Sequence, residues 1–228
     1  VVDARDMAAR LGVRLDEVSI VPEYQRLLSS LQPLFAGKPV DTTEENLQAR
    51  IRGMMLMALS NKHGRLVLAT SNKSETAVDY STLYGDMCGG YAPIKDVSKS
   101  AVFRLARWRN AHDPFGRGRR PIPLRIIQRP PSAELRADQT DQDSLPPYEV
   151  LDPIIEGYME HNGSVAELVA RGFDRSTVER IVRLINGSEY KRRQAAVGTR
   201  VTRRSFDGQW RYPMTHRFKA WQAPGKLI

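Results

Sequence analysis

Seven of the fourteen prolines lie between Pro114 and Pro147, around "FGRGRRPIP" and "RADQTDQDSLPPY". Each proline lacks an amide hydrogen and has its φ fixed, so this stretch can be neither a continuous helix nor a central strand. It is either a disordered linker or a long functional loop that orders on its ligand, and the second reading is favoured. It divides the 228-residue chain into residues 1–112, the Pro-rich segment 113–147 and residues 148–228.

Upstream, the pattern alternates. Residues 3–11 read as a helix stopped by Gly12, residues 15–21 as a short strand, and residues 22–35 as a helix with Pro22 at its start. Residues 41–61 carry the clearest helical signal. Thr42 and Glu45 suggest a capping box, and Leu47, Ile51, Met54, Met55, Ala58 and Leu59 recur at the spacing of a buried stripe, with the methionines as core filler. "RLVLAT" (65–70) reads as a buried parallel strand, and residues 94–110 as a turn and helix with Val102, Leu105 and Ala106 inward. Helix, strand, helix and strand in this order indicate an α/β class with an open parallel sheet. Downstream, 148–194 read as helical segments ended near Gly163 and Gly187.

Composition narrows the function classes. A 41% hydrophobic, 27% charged chain is an ordinary globular one. Its single cysteine, Cys88, allows no intrachain disulfide and fits a reducing cytoplasm. No apolar run approaches the roughly 18 to 20 residues that cross a bilayer, so no membrane partner is expected. The first residues lack an initiator Met and read as an opening helical turn, which suggests a segment upstream. The net charge is +9, and from Arg171 to Arg204 ten Lys or Arg face three acids, a local +7. Such a block attracts polyanions, either nucleic acid or phosphorylated small molecules, or is a solvated face that binds nothing in particular.

Together the residues of the loop after "RLVLAT" fit a nucleotide site, while each alone also reads as an ordinary feature: Glu75 as an exposed helix carboxylate, Lys99 as a surface lysine, Gly89–Gly90 as a plain turn. In open α/β sheets ligands sit beyond the carboxyl ends of strands, which is where Thr70 falls. Glu75, five residues on, is a hard carboxylate suited to Mg²⁺. Lys99 comes at or near the start of a helix, where its charge would add to free amides in gripping phosphate. Asp86 sits among Gly85, Gly89 and Gly90, where backbone can approach a ligand closely. Asn46 and Arg50 are four apart and share a helix face. The four histidines show no metal-ligand spacing, and no GxxxxGK[ST] or "SGG" phosphate loop occurs in these residues.

"TEENLQARIRG", "NKSETAVDYSTLYGDMCGGYAPIKDVSK", "PPSAELRADQTDQDSLPPYEVLD", "EYKRRQ" and "RYPMTHRF" together resemble the synthetase domain of the NAD⁺ synthetase family, most closely its glutamine-dependent, two-domain branch. The resemblance implies a Rossmann-like sheet of the ATP-pyrophosphatase type, truncated at its N-terminal side, with a C-terminal helical region. It implies ATP and Mg²⁺ as cofactors, deamido-NAD⁺ as substrate, ammonia from an N-terminal glutaminase domain outside these residues, a cytoplasmic homo-oligomer, and no nucleic-acid partner. Thr70, Lys99 and Ser132 then correspond to ATP contacts, and Glu75 to the acid that helps hold Mg²⁺ near the phosphates and the nicotinate. Asn46, Arg50, Glu75, Asp86, Tyr190 and Lys191 correspond to contacts with deamido-NAD⁺.

The chain departs from the family pattern in several places. Leu83 and Gly90 stand where ammonia-dependent members carry a Lys and a nearby Asp, and Asp79 stands where Gly is usual. The "SGGxDS" phosphate loop and the glutaminase residues do not occur among the 228, so these residues alone are expected to make no NAD⁺ above background. Another ATP-pyrophosphatase, such as a GMP or asparagine synthetase or a tRNA-thiolating enzyme, is the nearer alternative. A non-enzymatic RNA-binding module is the remoter one.

Overall fold

The computed structural model describes residues 1–116, 118, 120–136, 138–215, 218 and 219. Ten α-helices follow one another among the described residues: α1 (Val2–Leu11), α2 (Val21–Leu31), α3 (Thr42–His63), α4 (Lys73–Ala77), α5 (Lys99–Ala111), α6 (Leu124–Gln128), α7 (Tyr148–Ile155), α8 (Val165–Ala170), α9 (Arg175–Gly187) and α10 (Glu189–Arg192). A π-helical turn, Glu156–Glu160, continues α7. None of the helices is long and apolar enough to cross a membrane.

Local chemistry accounts for the ends of α3. Its cap is Asp41, one residue ahead of the expected Thr42: Asp41 accepts from the Thr43 amide at 2.7 Å, and Glu44 reaches back to the Asp41 amide at 2.9 Å. A carboxylate at a helix N-terminus accepts the amide and also meets the positive end of the macrodipole, which favours Asp41 over the neighbouring threonine. Thr42 and Glu45 are thereby left free to face a cleft. Gly64, at φ 60°, closes the helix in the left-handed conformation that costs glycine least.

The buried stripe expected on α3 is largely wrong. Ala49, Ile51 and Gly53 are buried, whereas Met54 is 63% and Leu59 50% exposed. The helix makes its inner contact through small residues four apart. A Cβ on Gly53 would lie 2.9 Å from the Gly85 carbonyl oxygen, and one on Gly85 would lie 2.9 Å from the Ala49 Cβ. The close approach is set by Ala49 and Gly53, so the methionines point elsewhere. On α5, Leu105 likewise faces outward, 54% exposed.

Among the described residues there is no strand. Residues 13–20 carry no regular structure, in place of the strand expected over 15–21. In the 65–70 run, Leu68 forms one parallel bridge to Tyr91, and Ala92 forms another to Gly198. The Ala69 amide donates to the Tyr91 carbonyl at 2.9 Å, the Gly90 amide to Val67 at 3.0 Å, and the Ala92 amide to Val197 at 2.8 Å. Three short segments therefore lie side by side in parallel, each paired over too few residues to make a ladder. Leu66 and Leu68 are 66% and 53% exposed, so the run is not covered on both faces.

The core lies in the C-terminal half. Leu151, Ile154, Met159, Leu168, Val178, Ile181, Val182 and Ile185 are fully buried, and Ala77 and Val78 join them from the end of α4. The stripe on α9 (Val178, Ile181, Val182, Ile185) has the three-and-four spacing of an amphipathic helix.

A buried charge cluster ties this core to the loop. Lys73 Nζ donates to Glu160 Oε1 at 2.5 Å and to the Arg204 carbonyl at 2.8 Å, and lies 2.8 Å from Asp96 Oδ1. All three side chains are less than a tenth exposed. Burial pushes the Glu160 carboxyl up. Hydrogen bonds from Lys73 and Thr202, the Lys73 charge and the Arg204 amide more than offset it, so the group lies below its usual range. Asp96 is lowered in the same way by Lys73 and the amides of Thr202 and Val201. A carboxyl depressed in the folded state contributes stability above the unfolded carboxyl range near pH ~4 and loses it as pH falls toward the folded value. Urea unfolding midpoints are therefore expected to drop between about pH 5 and pH 3, and Glu160→Gln is expected to flatten that slope. An unchanged slope in the variant would remove Glu160 from the account.

Candidate functional site

An open cleft of about 830 Å³ lies between α3 from Thr42 to Leu56, the 79–88 loop, residues 132–135 with Gln139, Asp141 and Ser144 of the Pro-rich segment, and Lys191 of α10. Side-chain hydrogen bonds hold the loop and the Pro-rich wall against α3. Thr82 Oγ1 donates to Asn46 Oδ1 at 2.8 Å, and the Thr82 amide donates to Asp86 Oδ1 at 2.6 Å, so the loop is fastened to α3 and to itself. Gln48 Nε2 donates to the Leu135 carbonyl at 3.0 Å, which holds the Pro-rich segment over the helix. This segment is a structured loop among its described residues, with α6 and a 3₁₀ turn at Asp141–Asp143.

Six of the nine residues singled out from the sequence line the cleft: Asn46, Thr70, Glu75, Asp86, Ser132 and Lys191. Lys99 stands behind Glu75, its Nζ 2.8 Å from Glu75 Oε1 and 5.5 Å from the Tyr148 ring centre. The other Glu75 oxygen accepts from the Asn72 amide at 3.2 Å, completing the capping box of α4. The remaining two residues are not brought in. Arg50 is exposed and donates Nε to the Leu83 carbonyl at 3.2 Å, and Tyr190, 43% exposed, is outside the lining.

The free amides expected at the start of α5 are occupied. The Lys99 amide donates to Ser74 Oγ at 2.9 Å, that of Ser100 to Asp152 Oδ2 at 2.9 Å, and that of Ala101 to Ser98 Oγ at 3.3 Å. Asp152 comes from α7, far along the chain, so no local pattern announces it. Any phosphate affinity here must come from the Lys99 ammonium.

The electrostatics of the cleft are mixed. Burial pushes the Asp86 carboxyl above its ordinary value despite the Thr82 amide and the Lys191 charge, and burial together with Asp86 pushes the Cys88 thiol up. Cys88 therefore stays a thiol, in keeping with a loop cysteine rather than a nucleophile. Tyr80 is raised by burial and by Asp141, and Tyr148 donates to Asp141 Oδ2 at 2.6 Å. Sequence reasoning gave no role to Tyr80, Thr82 or Asp141 and gave Glu45 only a capping one, yet all four line the cleft. Asp141 had a signal in principle: it is an acid seven residues before a tyrosine, inside a segment expected to be functional.

The basic block is mostly spent on structure. Arg192 is buried against Glu189, with its guanidinium 5.0 and 5.1 Å from the Phe206 and Trp210 ring centres, and burial brings its pKa down to about 10. Arg193 binds Glu189, and Arg180 donates to the Ser144 carbonyl.

The family profile described as NAD synthase matches residues 1–195, which takes in every wall of this cleft. The chain belongs to the NAD synthase family. It is 54% identical over 215 residues to the glutamine-dependent NAD(+) synthetase of Xanthomonas campestris, covering 94% of this chain and 38% of that one. A solved glutamine-dependent NAD⁺ synthetase from Acinetobacter baumannii, in complex with ADP, aligns at 44% identity and a TM-score of 0.53, over 98% of this chain and 38% of that one. The enzyme from Cytophaga hutchinsonii aligns at 24% identity and a TM-score of 0.75, over 93% and 36%, and shares the fold. The chain spans under half the length of these relatives. Asp79 has φ 69°, the left-handed region where glycine is easiest to place.

Proposed function

We propose that this chain is the synthetase part of a glutamine-dependent NAD⁺ synthetase, in which the nicotinate carboxylate of deamido-NAD⁺ attacks the α-phosphate of ATP and ammonia then displaces AMP. A carboxylate is a poor acyl donor, and adenylation gives it a good leaving group. The observation that carries the reading is the convergence of Asn46, Thr70, Glu75, Asp86, Ser132 and Lys191 on one cleft, from segments as far apart as α3 and α10. Charge that develops on phosphate oxygens is met by positioned cations and dipoles rather than by a protein nucleophile.

In this reading Thr70, Ser132 and Lys99 contact ATP. Asn46, Asp86 and Lys191 contact deamido-NAD⁺, and Arg50 and Tyr190 join them only if they turn toward the ligand. No group of three His, Cys, Asp or Glu that could cage a metal occurs among the described residues. A single carboxylate such as Glu75 fits Mg²⁺ that arrives with the nucleotide, because this ion keeps waters and substrate phosphates as most of its ligands. The ion would supply neutralising charge at the phosphates. The parallel bridges at Leu68 and Ala92 support an open sheet of the ATP-pyrophosphatase type, with residues 1–112 as its α/β part, 113–147 as the substrate-site loop and 148–228 as the C-terminal part. Ammonia from a glutaminase domain, homo-oligomeric assembly and a cytoplasmic location belong to the same reading.

Titration calorimetry with deamido-NAD⁺ is the test. Saturable binding is expected, weakened about tenfold or more in Lys191→Met, where one charge-assisted contact is lost. Binding of xanthylate or aspartate in its place would move the chain to another ATP-pyrophosphatase.

A further inference from the structure

Among the described residues, Arg52 and Lys191 are the cations in the cleft lining, and Lys191 is engaged from one side by Asp79. Lys191 Nζ donates to the Ser81 carbonyl at 2.6 Å, and Asp79 Oδ1 lies 3.0 Å away. This contact is an ion pair rather than a hydrogen bond, since the buried Oδ1 accepts none. The position is an unfavourable one for any residue but glycine, asparagine or aspartate, with φ 69°. Only aspartate among these brings a charge to the ammonium. The turn around it is held independently, by the Tyr80 amide on the Glu75 carbonyl at 3.1 Å and the Ser81 amide on the Asp79 carbonyl at 2.8 Å. The Asp79 carboxylate is therefore not needed to form the turn.

We propose that Asp79 is a specificity-determining residue. Its carboxylate acts as an internal counter-ion on Lys191, which an anionic ligand group must displace. This rests on the deamido-NAD⁺ reading above. A ligand carboxylate that reaches Lys191 comes close to a second carboxylate, and the repulsion weakens its binding. A neutral amide at the same place leaves the Asp79–Lys191 pair intact. Asp79 thus narrows the preference for a dinucleotide ending in carboxylate over one ending in amide, and the pair re-forms when the ligand's charge is removed.

The experiment compares deamido-NAD⁺ and NAD⁺ binding to the full chain by calorimetry, in the wild type, Asp79→Asn, Asp79→Gly and Lys191→Met. Asparagine keeps the left-handed backbone and the side-chain shape while removing the charge. Asp79→Asn is expected to tighten deamido-NAD⁺ roughly tenfold and NAD⁺ less than about twofold, with the gain shrinking at higher salt. Lys191→Met should reverse the preference toward NAD⁺, because the Asp79 carboxylate then faces the ligand carboxylate with no cation between them. In ligand-free protein, acetylation of Lys191 followed by mass spectrometry should rise several-fold in Asp79→Asn, while Lys95, paired with Asp207 at 2.6 Å, stays unchanged. Binding of both ligands with an unchanged ratio in Asp79→Asn would overturn the role of Asp79 and leave the deamido-NAD⁺ reading standing. Binding of neither ligand by the wild type would bring down both.

Discussion

Replacing Lys73 by Met is expected to destabilise the protein by about 3–5 kcal/mol, a fall of roughly 10 °C in Tm. Lys73 Nζ lies 2.8 Å from Asp96 and 2.5 Å from Glu160, and neither carboxylate is a tenth exposed. Methionine fills the same volume but leaves two buried negative charges without their counter-ion. The remaining donors, Thr202 and the backbone amides of Val201, Thr202 and Arg204, are dipoles and cannot replace a full charge. The penalty of an uncompensated buried charge outweighs the apolar contacts that methionine gains. The double variant Lys73→Met/Glu160→Gln should recover part of the loss, because one of the stranded charges is gone. Thermal unfolding of the three proteins decides the matter. A single variant as stable as the wild type would mean that the cluster is open to water.

Gly53→Val is the second large effect. Adding a side chain in mid-helix would ordinarily help by a few tenths of a kcal/mol or more, since glycine is among the poorest helix formers. Here the new Cβ alone would sit 2.9 Å from the Gly85 carbonyl oxygen, 3.0 Å from that of Tyr84 and 3.2 Å from Cys88 Sγ. Two of these are backbone atoms that cannot rotate away, so helix and loop must separate at a cost of about 1–3 kcal/mol. The overpacking therefore wins over the propensity. The displaced loop carries Thr82 and Asp86, and with them the contact to Asn46. On the proposed reading, deamido-NAD⁺ affinity is expected to fall about tenfold or more, even at temperatures where the protein remains folded. Calorimetry together with circular dichroism separates the two losses. Gly53→Val protein with wild-type affinity would show that the loop is not held by this contact.

Several elements were legible in the chain because their causes are local. α1 stops at Gly12, the helix read over 41–61 runs from Thr42 to His63, and α9 ends at Gly187. Local hydrogen-bonding rules and hydrophobic period suffice for those. The one-residue error at the Asp41 cap belongs to the same level, with two adjacent capping residues competing for one helix end. The cleft was legible in part. Thr70, Glu75 and Asp86 lie within one stretch of loop, and the family resemblance supplied Asn46, Ser132 and Lys191 from outside it.

The errors share a different cause. Met54 and Leu59 have helical spacing, yet burial depends on which neighbours arrive, and it was the loop at Gly85 that arrived, against Ala49 and Gly53. Residues 65–70 have the composition of a covered strand, but a strand exists only by pairing, and here it pairs over one residue with Tyr91. The amides at the start of α5 look free until Ser74 and Asp152 take them. The sequence by itself determined where α1 and α9 end, roughly where α3 and α5 run, and which residue types gather in the loop, because those follow from interactions a few residues long. Only the tertiary structure decided that Lys73 lies between Asp96 and Glu160 and that Asp79 occupies Lys191, more than a hundred residues away. A charge finds its partner through space, and the spacing of residues along a chain does not encode that distance.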